Sequence, residues 1–194
     1  MKLVIYIHGF NSSSSSFKAK VLARVIQERH SNIELWCPDL SHWPEKAVAS
    51  LIDRISAHPI EDVTLVGSSL GGFYAAYLSQ RFGCRSVLIN PAITPHTGLL
   101  HYVGRQKNLY TGEEYEFTHE HLHQLEQLYV KEIKRVDKLF LVHTTGDELL
   151  DWKTAARHFD GCRRLIVGGS DHGFTNFEDY ADNVLSYVNG ESSF

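Results

Sequence analysis

Asp62-Val63-Thr64-Leu65-Val66-Gly67-Ser68-Ser69-Leu70-Gly71-Gly72-Phe73-Tyr74-Ala75-Ala76 decides how the chain folds. An apolar, β-branched run breaks at Gly67 and gives way at Leu70 to a segment rich in small and aromatic residues. The stretch therefore reads as a buried strand, a sharp turn and a helix. Across the turn, Gly67-Ser68-Ser69-Leu70-Gly71 matches the G-x-S-x-G pattern of a nucleophile elbow. Chemistry sets that spacing. The serine must stand on a strained turn so that its hydroxyl is exposed above the sheet. A glycine two residues to either side lets strand and helix approach without Cβ collisions. The start of the helix adds free N–H groups and the positive end of its dipole beside the oxygen that becomes charged.

Outward from the elbow, β- and α-patterned segments alternate. Residues 3–7 form a continuous apolar run, as in a strand covered on both faces. His8-Gly9-Phe10-Asn11 and a serine tract over 12–16 follow, read as a loop that supplies an N-cap. Val21, Leu22, Val25 and Ile26 recur at helical spacing and predict a helix over 17–29. A short strand over 33–37 closes at Pro38-Asp39, and Pro44 suits the first position of a helix whose buried stripe is Val48, Leu51, Ile52 and Ile55. Strands are expected at 63–66 and 86–90, with the elbow helix over 70–82 between them. From about 93 to 135 the pattern lapses, with Tyr102, Tyr110, Tyr115 and Phe117 scattered through it and a helix suggested near its end by Leu122, Leu125, Leu128 and Tyr129. Long irregular stretches in compact domains are usually functional, and this one reads as a cap over the site. Strands resume at 138–142 and 164–167 around a helix near 153–159, and Thr175-Asn176-Phe177-Glu178 reads as a capping box opening a last helix to about residue 188. The expectation is one α/β domain over 1–194: a doubly wound, mostly parallel sheet of about six strands, with a cap insertion at about 93–135.

The bulk numbers narrow the function classes. A hydrophobic fraction of 43% in 194 residues suffices for a sizeable core. A net charge of −4 gives no reason to expect nucleic acid or an anionic membrane as partner. No run is long enough for membrane insertion, and residues 2–7 are strand-like rather than the start of a signal peptide. Cys37, Cys84 and Cys162 are odd in number and lack C-x-x-C spacing, which fits reduced, mostly buried thiols and a cytoplasmic location.

In sheets of this kind reactive groups collect in the loops after the strands. Thr145-Gly146-Asp147-Glu148 follows the fifth expected strand and Ser170-Asp171-His172-Gly173 the sixth. The order Ser69, Asp147, His172 is that of the triad in an α/β-hydrolase. His172 would take the proton of Ser69 and return it to the leaving group. Asp147 would hold the imidazole tautomer and stabilise the imidazolium. Asp171, adjacent to His172, is poorly placed to reach its ring, and Asp151 suits an N-cap. The N–H groups of Phe10 and Leu70 are the candidate oxyanion donors. His8 reads as shaping the first loop. His119-Glu120-His121-Leu122-His123 could suggest a metal, but no carboxylate or cysteine completes a tetrahedral set, and a solvated helix face accounts for it. Neither a metal nor a cofactor is expected.

Together Tyr6-Ile7-His8-Gly9-Phe10-Asn11-Ser12-Ser13, the elbow through Tyr74, Ile89-Asn90-Pro91-Ala92, Tyr110-Thr111-Gly112, Thr145-Gly146-Asp147-Glu148 and His172-Gly173-Phe174-Thr175-x-Phe177-Glu178-Asp179-Tyr180 resemble the YqiA-like esterases, small bacterial α/β-hydrolases. The similarity covers essentially the whole chain. It implies serine esterase activity on short-chain esters and acyl-CoA thioesters, small molecules both. Some relatives have lost the elbow serine, whereas this chain keeps it. Gly169-Ser170-Asp171-His172 departs from the family's Gly-Gly-Asn-His and puts a second carboxylate beside the expected base. Two other readings stay open: a non-catalytic binding protein on the same fold, and an acyltransferase using the same acyl-enzyme.

Overall fold

The computed structural model describes residues 1–191; residues 192–194, the end of the expected domain, lie outside the described residues. In chain order the elements are β1 (Lys2–Ile7), α1 (Phe17–Arg29), β2 (Ile33–Trp36), α2 (Pro44–Ser56), β3 (Val63–Ser68), α3 (Leu70–Phe82), β4 (Arg85–Ile89) and the single turn α4 (Pro95–Gly98). Then come β5 (Gly104–Lys107), β6 (Glu114–Phe117), α5 (His119–Gln127), β7 (Leu139–Thr144), α6 (Trp152–His158), β8 (Arg163–Val167) and α7 (Ala181–Asn189). Six strands make one sheet in the order β2-β1-β3-β4-β7-β8, with every pair parallel. This is the doubly wound sheet that the alternating pattern predicts.

The period of two along β1 builds both layers of the core. Leu3, Ile5 and Ile7 pack with Leu51 and Ile55 of α2 and Phe73 and Leu78 of α3. Val4 and Tyr6 point the other way, onto Leu22 and Ile26 of α1 and Val184 and Val188 of α7. Burying each large aliphatic side chain contributes about 1.5–3 kcal/mol, so a register slip of one residue in β1 would expose several such contributions at once.

Two glycines let α3 lie close against the sheet. A Cβ at Gly71 would overlap the carbonyl oxygen of Ile7, and one at Gly67 would overlap the Gly71 carbonyl and sit 2.8 Å from the Ala75 methyl. The chain runs from β1 out to the edge at β2 and returns to β3 on the opposite side of β1. That reversal opens a crevice at the carboxyl ends of β1 and β3.

Three local expectations are corrected. The stretch over 93–135 is more regular than its sequence suggests: besides α5 it contains an antiparallel hairpin, β5–β6, paired from Gly104↔Phe117 to Lys107↔Glu114. Ser16 occupies the cap position of α1 with extended backbone, but its hydroxyl makes no bond to the helix. Thr175 and Glu178 do not form a capping box. The Thr175 amide donates to Asp171 Oδ1 at 2.9 Å and Glu178 pairs with Arg24 at 2.5 Å, so neither group is free for the helix. A 3-10 turn over Phe177–Tyr180 precedes α7 instead.

Candidate active site

The turn from β3 into α3 leaves Ser69 at φ 56° and ψ −120°, a left-handed backbone that serine adopts only when its surroundings enforce it. Enforcement is visible in the backbone: Ser69 N–H donates to the Ile89 carbonyl at 3.0 Å and the Ser69 carbonyl accepts from Ala92 N–H at 3.1 Å. Both bonds anchor the elbow to the end of β4. The Ser69 hydroxyl lies 3.0 Å from His172 Nε2, and His172 Nδ1 lies 2.8 Å from Asp147 Oδ2. Three loops, after β3, β7 and β8, thus bring together three residues spread over more than a hundred positions.

Asp147 is the best held of the three, its side chain 1% exposed. Its second oxygen accepts from the amides of Leu149 at 2.9 Å and Leu150 at 2.8 Å. Burial works against the carboxylate, but the hydrogen bonds from His172, Leu150 and Leu149 outweigh it and hold its pKa below the ordinary value. A carboxylate that stays ionised fixes the proton of His172 on Nδ1 and leaves Nε2 as an acceptor facing Ser69. The other candidate acids lie elsewhere. Asp151 caps α6, accepting from Lys153 and Thr154 amides, and Asp171 accepts from Thr175.

Leu70 opens α3 and Phe10 follows β1, and among the described residues neither amide N–H has a protein acceptor. The Phe10 ring packs on Tyr102 and Phe117, each at 5.3 Å between centroids, which locks that loop. His8 shapes it too. Its Nε2 accepts from Leu40 N–H at 3.1 Å, so Nδ1 carries the proton and donates to the Gly9 carbonyl at 3.0 Å. Burial keeps His8 neutral by lowering its pKa.

Several supporting residues carry no sequence signal strong enough to give them a role. Asn90, fully buried with φ 41°, donates from Nδ2 to the carbonyls of His172 at 3.1 Å and Asp171 at 3.3 Å while its Oδ1 accepts from Thr144 N–H at 2.9 Å. Glu148 accepts the His172 amide at 3.0 Å. Lys18 donates to the Gly173 carbonyl at 2.6 Å, and burial lowers its pKa to about 8 against the opposing pull of Asp171 and Asp147. The clue at Asn90 is a polar residue between an apolar strand and Pro91, a position that tolerates left-handed backbone. The partners of Glu148 and Lys18 are too distant in sequence to be foreseen.

A cleft of about 450 Å³, including the solvent at its mouth, runs beside the elbow between Gly9, Phe10, Leu70, Tyr74, His42 and Tyr115. The β5–β6 hairpin forms its far wall. Tyr115 donates to Asn11 Oδ1 at 2.6 Å, Asn108 Nδ2 to the Ser12 carbonyl at 2.8 Å and Leu109 N–H to the Asn11 carbonyl at 3.3 Å. The hairpin is thereby fastened to the loop that carries Phe10. Among the described residues no three His, Cys, Asp or Glu side chains are grouped to hold a metal ion. His119 and His123 face solvent, whereas His121 is buried. Among the described residues no helix is long and apolar enough to cross a membrane.

The likeness to known proteins follows the same lines. Est1E from Butyrivibrio proteoclasticus superposes with a TM-score of 0.74 at 15% identity, covering 98% of this chain and 88% of that one. The α/β hydrolase domain-containing protein 10 from mouse superposes with a TM-score of 0.70 at 15% identity, over 96% and 90% of the two chains. At such identities the comparison speaks for the fold, which is that of the α/β-hydrolases. In sequence, a UPF0227 protein from Shewanella woodyi is 27% identical over 107 residues, which are 53% of this chain and 58% of that protein. The chain thus covers little more than half the length of this relative. Residues 3–189 match the Uncharacterised protein family (UPF0227), the YqiA family, and the chain belongs to it.

Proposed function

We propose that this protein is a serine hydrolase that cleaves carboxylic esters and thioesters of small acyl groups through an acyl-enzyme. The observation that carries the reading is the continuous relay from Ser69 Oγ through His172 to Asp147, at 3.0 and 2.8 Å. Ser69 Oγ attacks the substrate carbonyl as His172 Nε2 takes its proton. The tetrahedral oxyanion is received by the free N–H groups of Phe10 and Leu70. Its collapse expels the alcohol or thiol, which leaves with the proton from His172. Water then repeats the sequence, with His172 as base, and releases the acid and Ser69. Asp147 stabilises the imidazolium in both halves without itself taking up the proton.

The stretch over 93–135 serves as a cap that shapes the acyl site, supported by the place of Tyr115 and Tyr102 against the oxyanion loop. Three free thiols, Cys37, Cys84 and Cys162, agree with a reducing cytoplasmic setting. The test is labelling of Ser69 by a fluorophosphonate together with turnover of p-nitrophenyl esters. Ser69→Ala should remain folded and lose both. Wild-type protein that neither labels nor turns over any ester would favour a binding protein on this fold, and labelling that persists in Ser69→Ala would remove the serine from its role.

A further inference from the structure

His42 and His121 lie 79 residues apart in sequence, yet His42 Nδ1 is 3.0 Å from His121 Nε2. The direction of that bond can be worked out from its far end. The Thr118 amide can only donate, and its acceptor is His121 Nδ1 at 3.1 Å; the Thr118 hydroxyl converges on the same nitrogen at 2.9 Å. A neutral imidazole that accepts at Nδ1 carries its proton on Nε2. His121 therefore donates to His42 Nδ1, and His42 in turn must carry its own proton on Nε2. Among the described residues that N–H has no protein acceptor.

The rings are held firmly. Trp43 stacks on His121 at 3.8 Å and 16°, and Phe117 packs near its ring at 4.8 Å. His42 lies on Tyr115 at 4.3 Å and 21°. Burial depresses the pKa of His121 to about 4, with His42 adding to the effect and Glu120 opposing it, and burial likewise lowers that of His42. Both rings stay neutral near pH 7, which the relay requires.

His42 lines the cleft beside Ser69, where a Cβ at Gly9 would stand 3.7 Å from the Ser69 hydroxyl. Neither Ser69 nor His172 is part of that lining, whereas Phe10 and Leu70, on either side of the elbow, are. The leaving group must sit within reach of the His172 proton, so the cleft takes the acyl side of the substrate. Asn11, Ser41, His42 and Asn108 make its walls more polar than an alkyl chain needs, and the Glu113 carboxylate at the rim disfavours an anion. We propose that His42 binds substrate, its Nε2–H donated to a hydrogen-bond acceptor on the acyl chain, so that neutral hydroxy- or oxo-acyl esters are preferred over plain alkyl esters of equal length. His121 is the positioning residue that sets the His42 tautomer. This inference rests on the serine-hydrolase reading and names the acyl class for it.

The experiment compares p-nitrophenyl 3-hydroxybutyrate with p-nitrophenyl butyrate in wild type, His42→Phe and His42→Gln, each also treated with a fluorophosphonate. The wild type should favour the hydroxy ester. His42→Phe keeps a ring on Tyr115 but lacks the donor, and should lower that preference about tenfold, chiefly through KM, with Ser69 still open to the phosphonate. His42→Gln restores an N–H and should recover most of the preference. In the wild type, ¹⁵N-edited NMR should find His42 protonated at Nε2, and His121→Leu should redistribute that proton between the two nitrogens. An undiminished preference in His42→Phe, a wild type without preference, or His42 protonated at Nδ1 would overturn the assignment while leaving the hydrolase reading in place. A wild type inert to both esters and to the phosphonate would instead sink the hydrolase reading and this one with it.

Discussion

The side-chain amide of Asn90 donates to the main-chain carbonyl of His172 at 3.1 Å, joining the end of β4 to the loop after β8 across 82 residues. Because the same side chain also accepts from Thr144 N–H, the loops after β7 and β8 share one buried brace. Asn90→Ala should strand the Thr144 amide without an acceptor, at a cost of about 2 kcal/mol. It should also let His172 drift and reduce kcat about a hundredfold. Denaturant titration and ester turnover measure the two effects separately; turnover near wild type in a measurably destabilised protein would mean that His172 is positioned by other contacts.

The three aspartates considered as the acid should separate cleanly. Asp147→Asn should lower kcat by about ten thousandfold, because the imidazole loses the group that fixes its tautomer. Asp171→Asn should cost about tenfold or less, through the charge felt by His172. Asp151→Ala should leave turnover within about twofold yet lower the melting temperature as a lost N-cap. Turnover by the folded variants at several pH values is the check, and a severe loss confined to Asp151 or Asp171 would reassign the acid.

Tyr115 and Tyr110 should behave differently although both lie in the 93–135 stretch. Tyr115→Phe removes the 2.6 Å bond to Asn11 and loosens the hairpin from the loop that carries Phe10. Relative rates among acetate, butyrate and octanoate esters should shift by about three- to tenfold. Tyr110 is 53% exposed and should tolerate alanine with no change in that ranking. Equal responses from the two variants would argue against the hairpin as a wall of the acyl site.

His121 predicts how stability depends on pH. Its pKa lies near 4 in the folded protein against an ordinary 6.5. Between those values the unfolded chain binds more protons, so stability present above about 6.5 is lost progressively as the pH falls toward 4. His42, also lowered, adds to the loss. Melting temperatures from pH 7 to 4.5 should fall less steeply in His121→Asn than in wild type; parallel curves would count against a neutral, buried His121.

Much of this was legible because it is local. The β–α alternation follows from runs such as residues 3–7 and from the 3.6-residue stripe of Val48, Leu51 and Ile55, whose periods report directly on burial. The turns that carry Ser69 and Asp147 could be placed because turns with glycine have fixed positions relative to strands. The β5–β6 hairpin was not legible: β5, Gly104-Arg105-Gln106-Lys107, has no apolar side chain, and the alternation of β6, Glu114-Tyr115-Glu116-Phe117, spans only four residues. Its order comes from bonds to Asn11 and Ser12 nearly a hundred residues earlier. The solvated-face reading holds for His119 and His123 but fails for His121, whose buried partners Trp43 and His42 belong to another part of the chain. The apparent capping box at Thr175 failed for the same reason, since Asp171 and Arg24 compete for its two members.

The left-handed backbone of Ser69 has a thermodynamic corollary. Glycine would occupy φ 56° and ψ −120° without penalty, whereas a side-chain-bearing residue there costs about 1–3 kcal/mol. Ser69→Gly should therefore melt at a higher temperature than the wild type while losing its reactivity. With Ser69 as the proposed nucleophile, stability and reactivity at residue 69 are in direct competition, and the hydroxyl is kept at the expense of the strain.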